Sequence, residues 1–522
     1  MNLAELIEIP ESIEGGRRAL TYLGRSLTYE EMVGATHSAA GKLRDRGFGP
    51  ASRVAVVDMN TPAQALTLVA LARLDAIGVP VNSRASAGEL GVMLDAGHVD
   101  ALVAGDSCIQ LAEAAAAQAR AGLPVLVTDP WCSGYRPLGG ERPASSGHRA
   151  ADGGDSEAEP GDRTVLQLFT SGTVSTPKPF SYTNEALTSY VAATVDLFSA
   201  SEDDATLVAV PLHHVAGIMG LLGGWFSGRR VVLLPRFDAD TWLDTVEQER
   251  ISHAFVVPTM LRRILDAWAV RPRDLSSLRL LSYGAAPMPA AVLERAITLL
   301  PASVGLTNAF GQTETTSVIT LLGPDDHRLD GVEGEEREAR RRRLRSAGRP
   351  VPGAEIRIVD DRGLALPVDT VGEVAVRAPW LRGDGHRDSG SVLEAGWHAT
   401  GDLGWLDDGG YLFLAGRKDD LIIRGGENIS PAQVEAALEA DPDVEEVCVV
   451  GLPDIEWGER LVAAVVRRNA SVSDEELKRH CRERIGSLKT PEEIVFVEDL
   501  PRNAMGKVVR RELRRKLTES RV

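Results

Sequence analysis

The sequence predicts an α/β protein with a large N-terminal domain of helix-covered sheets and a small α+β domain at its C-terminal end. Short runs of β-branched residues alternate with amphipathic helical patterns over most of the chain, which is typical of parallel strands covered by helices. The pattern changes after Gly416, where a separate set of strands and helices begins. A length of 522 residues is sufficient for two or more domains.

The N-terminal part contains the clearest alternation of strands and helices. A helix is predicted over Thr61–Leu74, between two short β-branched runs. The strands predicted in this part are Arg53–Val57, Gly78–Val81, Asp100–Ala104, Pro124–Val127 and Thr164–Leu168. These apolar runs are short and nearly continuous, as expected for strands that are buried on both faces.

The C-terminal part has its own predicted elements. Strands are predicted over Val447–Val450 and Leu461–Val466, and helices over Pro431–Leu438 and Asp474–Arg484. We therefore expect a domain boundary near residue 417, with an N-terminal domain of residues 1–417 and a C-terminal domain of residues 418–522.

Two segments interrupt the regular pattern. Residues 138–162 are rich in Gly, Pro, Ser, Ala and acidic residues, which predicts a surface loop or a linker. Residues 333–347 are dense in charges of both signs and include four consecutive arginines. This second segment is interpreted either as a docking patch or as a solvated helix face, and charge runs of this kind usually belong to a solvated face.

Composition limits the classes of function. The formal net charge of −18 argues against nucleic acid as the main partner, because phosphate backbones require a basic face. The four cysteines form no C-x-x-C pair and no zinc-like cluster, which indicates free thiols in a reducing compartment. The sequence has neither a signal-peptide pattern nor about 20 consecutive apolar residues, so we expect a cytoplasmic protein without a membrane span.

A Ser/Thr-rich segment, Phe169–Lys178, follows the predicted strand Thr164–Leu168. Hydroxyls, backbone N–H groups and one lysine on a turn suit a polyphosphate, because each supplies a donor or a positive charge. The segment is not the G-x-x-x-x-G-K-[ST] loop of other nucleotide-binding proteins. Taken alone, it is also typical of an ordinary surface turn.

The segment Asn308–Thr315 combines an aromatic ring, a glycine, a hydroxyl and a carboxylate within a few positions. The ring of Phe310 could stack on a base. The Glu314 carboxylate could hold Mg²⁺, which prefers carboxylate and phosphate oxygens. The alternative is a loop after a buried strand, with Phe310 in the core.

Two more segments could contact a nucleotide. Asp402, at the end of Gly396–Asp402, could accept two hydrogen bonds from a ribose diol, and Arg417 could contact phosphate or ribose. Leu500–Lys507 ends in a lysine on a Gly-containing turn, and such a lysine is by itself usually exposed and inert.

The order of these motifs resembles that of the adenylate-forming superfamily, and within it the acyl-CoA synthetases. The resemblance begins at Gly24–Glu31, continues through Pro211–Gly217 and Tyr283–Pro287, and ends at Lys507. It implies an AMP-forming ligase with ATP, Mg²⁺ and coenzyme A as cofactors, and a fold with a β-barrel-like subdomain and a mobile C-terminal domain. It also implies a small-molecule carboxylic acid as substrate.

The resemblance assigns a role to each matched position. Thr313 would bond the α-phosphate, Glu314 and Thr170 would hold Mg²⁺, and Lys507 would contact the reacting α-phosphate and the substrate carboxylate. The positions implied to bind ATP are Thr170, Ser171, Gly172, Thr173, Lys178, Gly284, Ala285, Ala286, Asn308, Phe310, Gly311, Asp402 and Arg417.

A second set of positions is implied for transfer of the acyl group to a thiol. The C-terminal domain would rotate about Asp419, withdraw Lys507 and bring Gly425 and Gly426 to the site, where glycines let the backbone approach a narrow pantetheine arm. His214 would act beside the carboxylate and thiol pockets as a gate, and the alternative is a packed histidine.

The sequence departs from the family pattern in the phosphate loop, with Val174 where a hydroxyl is usual and Ser175 and Pro179 where glycines are usual. The charged positions are all present, so we expect an active enzyme. Two alternatives remain: a stand-alone ligase that loads an acyl-carrier-protein thiol, and a nucleotide-binding pseudoenzyme. The segments around the site offer no partner for an ammonium group, which favours an aliphatic, alicyclic or aryl acid. The sequence leaves the oligomeric state open between a monomer and a homodimer.

Overall fold

The structure is a computed structural model, and it describes residues 1–119, 123–138, 161–170, 177–381, 393–394, 396–502 and 508–519. The first part of the chain alternates helices with strands. Its strands are β1 (Arg18–Tyr22), β2 (Arg25–Thr28), β3 (Arg53–Val57), β4 (Ile77–Val81), β5 (Ala101–Gly105), β6 (Val125–Thr128), β7 (Tyr135–Pro137), β8 (Thr164–Thr170) and β9 (Lys178–Thr183). Its helices are α1 (Glu5–Glu14), α2 (Tyr29–Arg44), α3 (Pro62–Ala72), α4 (Ala87–Ala96), α5 (Ile109–Gln118) and α6 (Asn184–Thr194).

The same alternation continues from residue 205 to residue 343. The strands here are β10 (Ala205–Val208), β11 (Arg230–Leu233), β12 (His253–Val256), β13 (Leu280–Gly284), β14 (Gly305–Gln312) and β15 (Ser317–Leu322). The helices are α7 (Val215–Phe226), α8 (Ala239–Gln248), α9 (Pro258–Val270), α10 (Ala290–Leu299), α11 (Pro324–His327) and α12 (Gly334–Arg343).

Strands dominate the last part of the chain. They are β16 (Arg349–Pro350), β17 (Glu355–Val359), β18 (Gly372–Arg377), β19 (His398–Leu406), β20 (Leu412–Arg417), β21 (Ile422–Arg424), β22 (Glu427–Ile429), β23 (Val444–Asp454), β24 (Gly458–Arg467) and β25 (Glu493–Phe496). The helices are α13 (Pro431–Glu439), α14 (Asp474–Ile485) and α15 (Arg510–Glu519).

Two large sheets build the N-terminal part. The first has seven strands in the order β7-β6-β5-β3-β4-β8-β9, and β6, β5, β3, β4 and β8 run parallel. The second has nine strands in the order β16-β15-β14-β13-β12-β10-β11-β1-β2. The strands from β14 to β1 in this order pair in parallel, so their carboxyl ends meet at one edge of the nine-stranded sheet. Ligands of open α/β sheets bind outside this kind of edge.

Helix α3 shows how the local sequence determines an element. Thr61 caps its first turn by accepting a hydrogen bond from the Gln64 N–H, and Pro62 occupies a first-turn position where no backbone donor is required. All its residues are buried, in agreement with its almost entirely apolar sequence. The helix predicted over Thr61–Leu74 is therefore confirmed.

The predicted strands are also confirmed, with boundaries that differ by at most two residues in the N-terminal part. In the C-terminal part, the run Val447–Val450 lies inside the longer strand β23. Its side chains alternate between two hydrophobic clusters: Val447 and Val449 lie in one with residues of α13 and α14, and Cys448 and Val450 lie in another with residues of α15. Because both faces of this sheet are covered, the run reads as continuously apolar instead of alternating.

The two smaller sheets lie in the last part of the chain. One is a four-stranded antiparallel sheet in the order β17-β18-β19-β20, in the region for which the resemblance implies a β-barrel-like subdomain. The other sheet has the order β22-β21-β24-β23, with β25 paired to β24. The α/β class with a large N-terminal region and a small α+β C-terminal region is confirmed.

The charged segment 333–347 folds mainly as α12, which has no buried residues. Its arginines pair with nearby acids: Arg340 with Glu336, Arg341 with Glu338, and Arg343 with Asp326. These contacts correspond to a solvated helix face and give no support to a docking patch. Most of the predicted loop 138–162, residues 139–160, lies outside the described residues. Among the described helices, none has the length and apolarity needed to span a bilayer.

Candidate active site

The carboxyl edge of the nine-stranded sheet brings together three of the predicted segments. His214 follows β10, Ala285 and Ala286 follow β13, and Thr313 and Glu314 follow β14. In the sheet, β14 and β13 are direct neighbours, and β12 lies between β13 and β10. Parallel topology therefore places segments that are far apart in sequence along one edge.

The backbone of Gly284 packs directly against β14. A Cβ atom at this position would lie 2.1 Å from the Ala309 carbonyl oxygen, so any larger residue would displace one of the two strands. The next residue, Ala285, has a φ of +66°, a conformation that non-glycine residues adopt infrequently. The segment implied to line the adenine pocket is thus held in a tight, specific path.

Strand β14 presents Asn308, Phe310 and Gln312 on one face, because alternate residues of a strand point the same way. The Asn308 side-chain amide donates to the Ser346 carbonyl oxygen at 3.1 Å. Phe310 is half-buried, with its ring against apolar clusters. One side of the ring therefore packs on the core. This agrees in part with both interpretations of Phe310, as a ring that stacks on a base and as a core residue.

Gln312 connects this edge to the antiparallel sheet β17–β20. Its Nε2 donates to the Thr400 carbonyl oxygen at 3.0 Å and also to the Asp402 carboxylate. Arg417 approaches the other carboxylate oxygen, with its Nε 3.3 Å from Oδ1, and donates through Nη1 to Thr400 at 2.8 Å. The Asp402 side chain is only 14% exposed. An oriented, charged acceptor is therefore fixed beside β14.

The sequence interpretation selected Asp402 and Arg417 but missed Gln312. The alternation along β14 is the signal that could have identified it, because Gln312 shares a face with Asn308 and Phe310. Its partner Asp402 lies 90 positions further along the chain, so sequence spacing alone could not reveal the pair.

The turn after β14 carries Thr313 and Glu314, both half-buried. The Thr313 carbonyl oxygen accepts a hydrogen bond from the Tyr182 hydroxyl at 2.7 Å. Burial, together with the negative charge of Glu314, raises the pKa of Tyr182 well above its ordinary value. Tyr182 is another residue that the sequence interpretation missed, because a tyrosine in a strand is usually a core residue.

The predicted phosphate loop joins β8 and β9, which pair antiparallel so that Thr170 faces Lys178 in the backbone register. Lys178 is exposed. Of the loop positions, Ser171, Gly172, Thr173, Val174 and Ser175 lie outside the described residues, and Thr170 is described only by its backbone. Strand β9 of this hairpin begins at Lys178 and also carries Tyr182.

His213 and His214 lie in the loop between β10 and α7, with ring centroids 4.2 Å apart. Asn60, which follows β3, holds this loop: its amide donates to the Val210 carbonyl oxygen and accepts from the Leu212 N–H, both at 3.0 Å. His213 is buried, and burial lowers its pKa to about 3 with help from the positive charge of Arg84, so it is neutral near pH 7. His214 is half-buried and is the residue directly before α7.

Charged contacts anchor both sides of the predicted hinge, Asp419. The Lys418 ammonium lies 3.1 Å from the Asp361 carboxylate and 3.0 Å from that of Glu373. On the other side, the Asp420 carboxylate lies 3.4 Å from the Arg510 guanidinium. Lys418 is thereby tied to the sheet β17–β20, and Asp420 to the first residue of α15.

Gly425 and Gly426 form the turn between β21 and β22, with φ values of +58° and +87°. Trp457 packs on this turn: its carbonyl oxygen accepts from the Gly425 N–H at 2.8 Å, and a Cβ at position 425 would lie 2.9 Å from its ring. Glycine is therefore required here for both conformation and space. Lys507 lies outside the described residues.

Comparison with known proteins decides the family. The model of the "AMP-binding enzyme" family matches residues 12–382, and that of the "AMP-binding enzyme C-terminal domain" matches residues 433–507. This chain belongs to the AMP-binding enzyme family. It is therefore an adenylate-forming enzyme, and the recognition of the superfamily from its motifs is confirmed.

Individual relatives support the same assignment. An indoleacetate–CoA ligase of Aromatoleum aromaticum is 33% identical over 520 residues, which cover 98% of each chain. Among solved structures, the amide bond synthetase McbA of Marinactinospora thermotolerans has a TM-score of 0.83 at 29% identity and covers 99% of both chains. The o-succinylbenzoate coenzyme A synthetase MenE of Bacillus subtilis, in complex with ATP and magnesium, has a TM-score of 0.79 at 27% identity and covers 97% of this chain and 98% of its own.

Proposed function

We propose that this AMP-binding family enzyme activates an aliphatic, alicyclic or aryl carboxylic acid with ATP and transfers the acyl group to coenzyme A. The observation that carries the proposal is the Gln312–Asp402–Arg417 cluster beside the Thr313–Glu314 turn. It combines an oriented carboxylate acceptor for a ribose diol with a hydroxyl and a carboxylate for the phosphate end. These are the kinds of group that the ribose and the phosphates of a nucleotide require.

In the first step, a carboxylate oxygen of the acid bonds to the α-phosphorus of ATP and the bond to pyrophosphate breaks. Two anions approach each other, and negative charge grows on the α-phosphate and on the departing pyrophosphate. Fixed cations and donors at these oxygens therefore supply most of the catalysis. We assign this work to Lys178, Thr313 and Lys507, with the Gly284–Ala286 backbone and Phe310 holding the base.

Mg²⁺ is required to neutralise the polyphosphate, and the residues present fit it. No group of three or more His, Cys, Asp or Glu side chains that could enclose a metal occurs in the described part of the chain. A magnesium ion that is bound mainly through substrate phosphates needs only one or two protein carboxylates. The Glu314 carboxylate meets this requirement, and the resemblance to the family implies Thr170 as a further ligand. When bound, the ion would screen the phosphate charges and orient them.

In the second step, the thiol sulfur bonds to the acyl carbon, the bond from that carbon to the AMP oxygen breaks, and the thiol proton is released. Lys507 has no new phosphoryl charge to balance in this step. The groups that surround the acyl-adenylate must therefore change between the two steps. We assign this change to rotation of residues 418–522 relative to residues 1–417 about Asp419. The separate anchoring of Lys418 and Asp420 supports this pivot, because it leaves the intervening residue to absorb the rotation.

Coenzyme A is the favoured acceptor because the chain is 33% identical to an indoleacetate–CoA ligase and the Gly425–Gly426 turn suits a narrow pantetheine arm. Loading of a carrier protein has less support. The similarity to an amide bond synthetase makes an amine acceptor a second candidate, since an acyl-adenylate can also be attacked by nitrogen.

A panel of acids tests the proposal directly. Pyrophosphate release is measured with ATP, Mg²⁺ and each of a set of aryl, arylacetic, alicyclic and straight-chain acids. The best acid is then incubated with coenzyme A, with a carrier protein or with an amine, and the products are identified by mass spectrometry. We expect acid-dependent pyrophosphate release and an acyl-CoA product. Absence of pyrophosphate release with every acid would refute the proposal and favour the pseudoenzyme alternative. Release that occurs equally without any acid would indicate ATP hydrolysis and would also refute the proposal.

A further inference from the structure

The turn that follows β14 is folded into an unusual backbone path. Thr316 has a φ of +61° and Ser317 a φ of +121°, and both conformations are rare for side chains with a Cβ, especially a β-branched one. The turn folds back so closely that a Cβ on Gly311 would lie 1.7 Å from the Ser317 carbonyl oxygen. A path of this kind persists only where surrounding groups hold it.

Two tyrosine hydroxyls hold this turn from outside. The Tyr182 hydroxyl donates to the Thr313 carbonyl oxygen at 2.7 Å, next to Glu314. The Tyr190 hydroxyl, from α6, accepts from the Val318 N–H at 3.3 Å, at the far end of the turn. Of the two, Tyr182 acts at the end that carries the proposed α-phosphate and magnesium ligands.

Tyr182 is itself rigidly placed. It is 1% exposed, sits opposite Leu166 in the β8–β9 pair, and makes an edge-to-face contact with Phe180 at a centroid distance of 5.0 Å. Its strand, β9, begins at Lys178, which ends the predicted phosphate loop. One short strand therefore connects the lysine of that loop with the donor that fixes the Thr313 carbonyl.

We propose that Tyr182 is a positioning residue that aligns the Thr313–Glu314 turn with the phosphate-loop hairpin and so sets where the Glu314 carboxylate meets the magnesium–polyphosphate end of ATP. The proposal rests on the proposed function. Tyr182 touches neither substrate nor metal; it acts through Glu314. Loss of its hydroxyl should therefore change the dependence of adenylation on Mg²⁺ and leave the thiol step unchanged.

The test compares Tyr182→Phe with Tyr135→Phe. Tyr135 is an equally buried tyrosine in the seven-stranded sheet, and its hydroxyl lies 2.9 Å from both Thr67 Oγ1 and Cys132 Sγ, remote from the turn. For each protein, the half-saturating Mg²⁺ concentration and the rate of pyrophosphate release are measured at fixed ATP, together with thioester formation from supplied acyl-adenylate and the melting temperature.

For Tyr182→Phe we expect the half-saturating Mg²⁺ concentration to rise and the adenylation rate to fall, each by about tenfold. A change of this size corresponds to the loss of one buried hydrogen bond. Thioester formation should stay within about twofold, because the second step does not use this alignment. Tyr135→Phe should change neither kinetic quantity. Unchanged Mg²⁺ dependence in a folded Tyr182→Phe enzyme, or an equal shift in Tyr135→Phe, would overturn the inference.

A double-mutant cycle with Glu314→Gln separates positioning from general destabilisation. If Tyr182 acts through Glu314, Tyr182→Phe should have little further effect on adenylation once position 314 is Gln. A full, additive loss in the double variant would contradict the inference. Absence of acid-dependent pyrophosphate release in the unmodified protein would instead overturn the proposed function, and this inference with it.

Discussion

The Asp402→Asn substitution removes one negative charge from the cluster that connects the nine-stranded sheet to the sheet β17–β20. The Asp402 side chain is 14% exposed and lies between Gln312 and Arg417. Asparagine keeps the shape and one acceptor oxygen, but the acceptor becomes neutral. A hydrogen bond to a charged group contributes roughly 1 kcal/mol more than a neutral one, so two ribose bonds would lose about 2 kcal/mol. This loss corresponds to a KM for ATP raised about 30-fold.

The ribose contact is the same in the ground state and in the transition state, so kcat should stay within about threefold. The assay is pyrophosphate release as a function of ATP concentration with the best acid of the panel. Asp407→Asn is the matched control, because Asp407 is 9% exposed and accepts from the Tyr411 N–H at 2.9 Å in the β19–β20 connection. An unchanged KM in Asp402→Asn, or an equal rise in the control, would refute the ribose assignment.

Three further predictions address the two steps and the pH dependence. Lys507→Ala should slow adenylation by about 10²–10³-fold and largely preserve thioester formation from supplied acyl-adenylate; equal loss of both steps would refute domain rotation. Gly425→Ala should largely preserve adenylation and slow thioester formation about tenfold. The added Cβ would press on the Trp457 ring, and the φ of +58° at this position is unfavourable for alanine. Burial lowers the pKa of His213 from 6.5, its ordinary value, to about 3 in the folded protein. Below about pH 6.5 the unfolded chain therefore binds a proton that the folded protein does not, and the free energy of unfolding falls, by about 2 kcal/mol at pH 5. His213→Gln should lose less melting temperature between pH 8 and pH 5 than the unmodified protein, whereas the exposed-site control His37→Gln should not differ from it.

Much of the fold could be predicted from local pattern. The strand and helix sequence from Arg53 to Val81 follows from β-branched runs and a capped apolar helix, and each element is confirmed. The order of the strands in the two large sheets could not be predicted in this way, because parallel pairing joins segments that are far apart in sequence. The place of β1 beside β11 is an example.

Some residues of the candidate site could be predicted from the sequence and others could not. Asp402 and Arg417 were predicted because charged residues in family motifs are visible in sequence, and the structure brings them together. Tyr182 was not predicted because its hydrogen-bond partner at the site, the Thr313 carbonyl oxygen, lies 131 positions away. A backbone acceptor leaves no mark in the sequence. The roles assigned to the individual site residues all stay predictions, and Ser171, Gly172, Thr173 and Lys507 also lie outside the described part of the chain.

The central claim is that a carboxylate oxygen attacks the α-phosphorus of ATP. The most direct test uses the best acid of the panel with both carboxylate oxygens labelled with ¹⁸O. The reaction is run to completion with ATP, Mg²⁺ and coenzyme A, and the phosphate products are analysed by mass spectrometry. We predict AMP that carries one ¹⁸O atom, together with unlabelled pyrophosphate, because AMP departs with the oxygen that bonded to phosphorus. Label in inorganic phosphate with ADP as the product, or AMP without label, would contradict the claim.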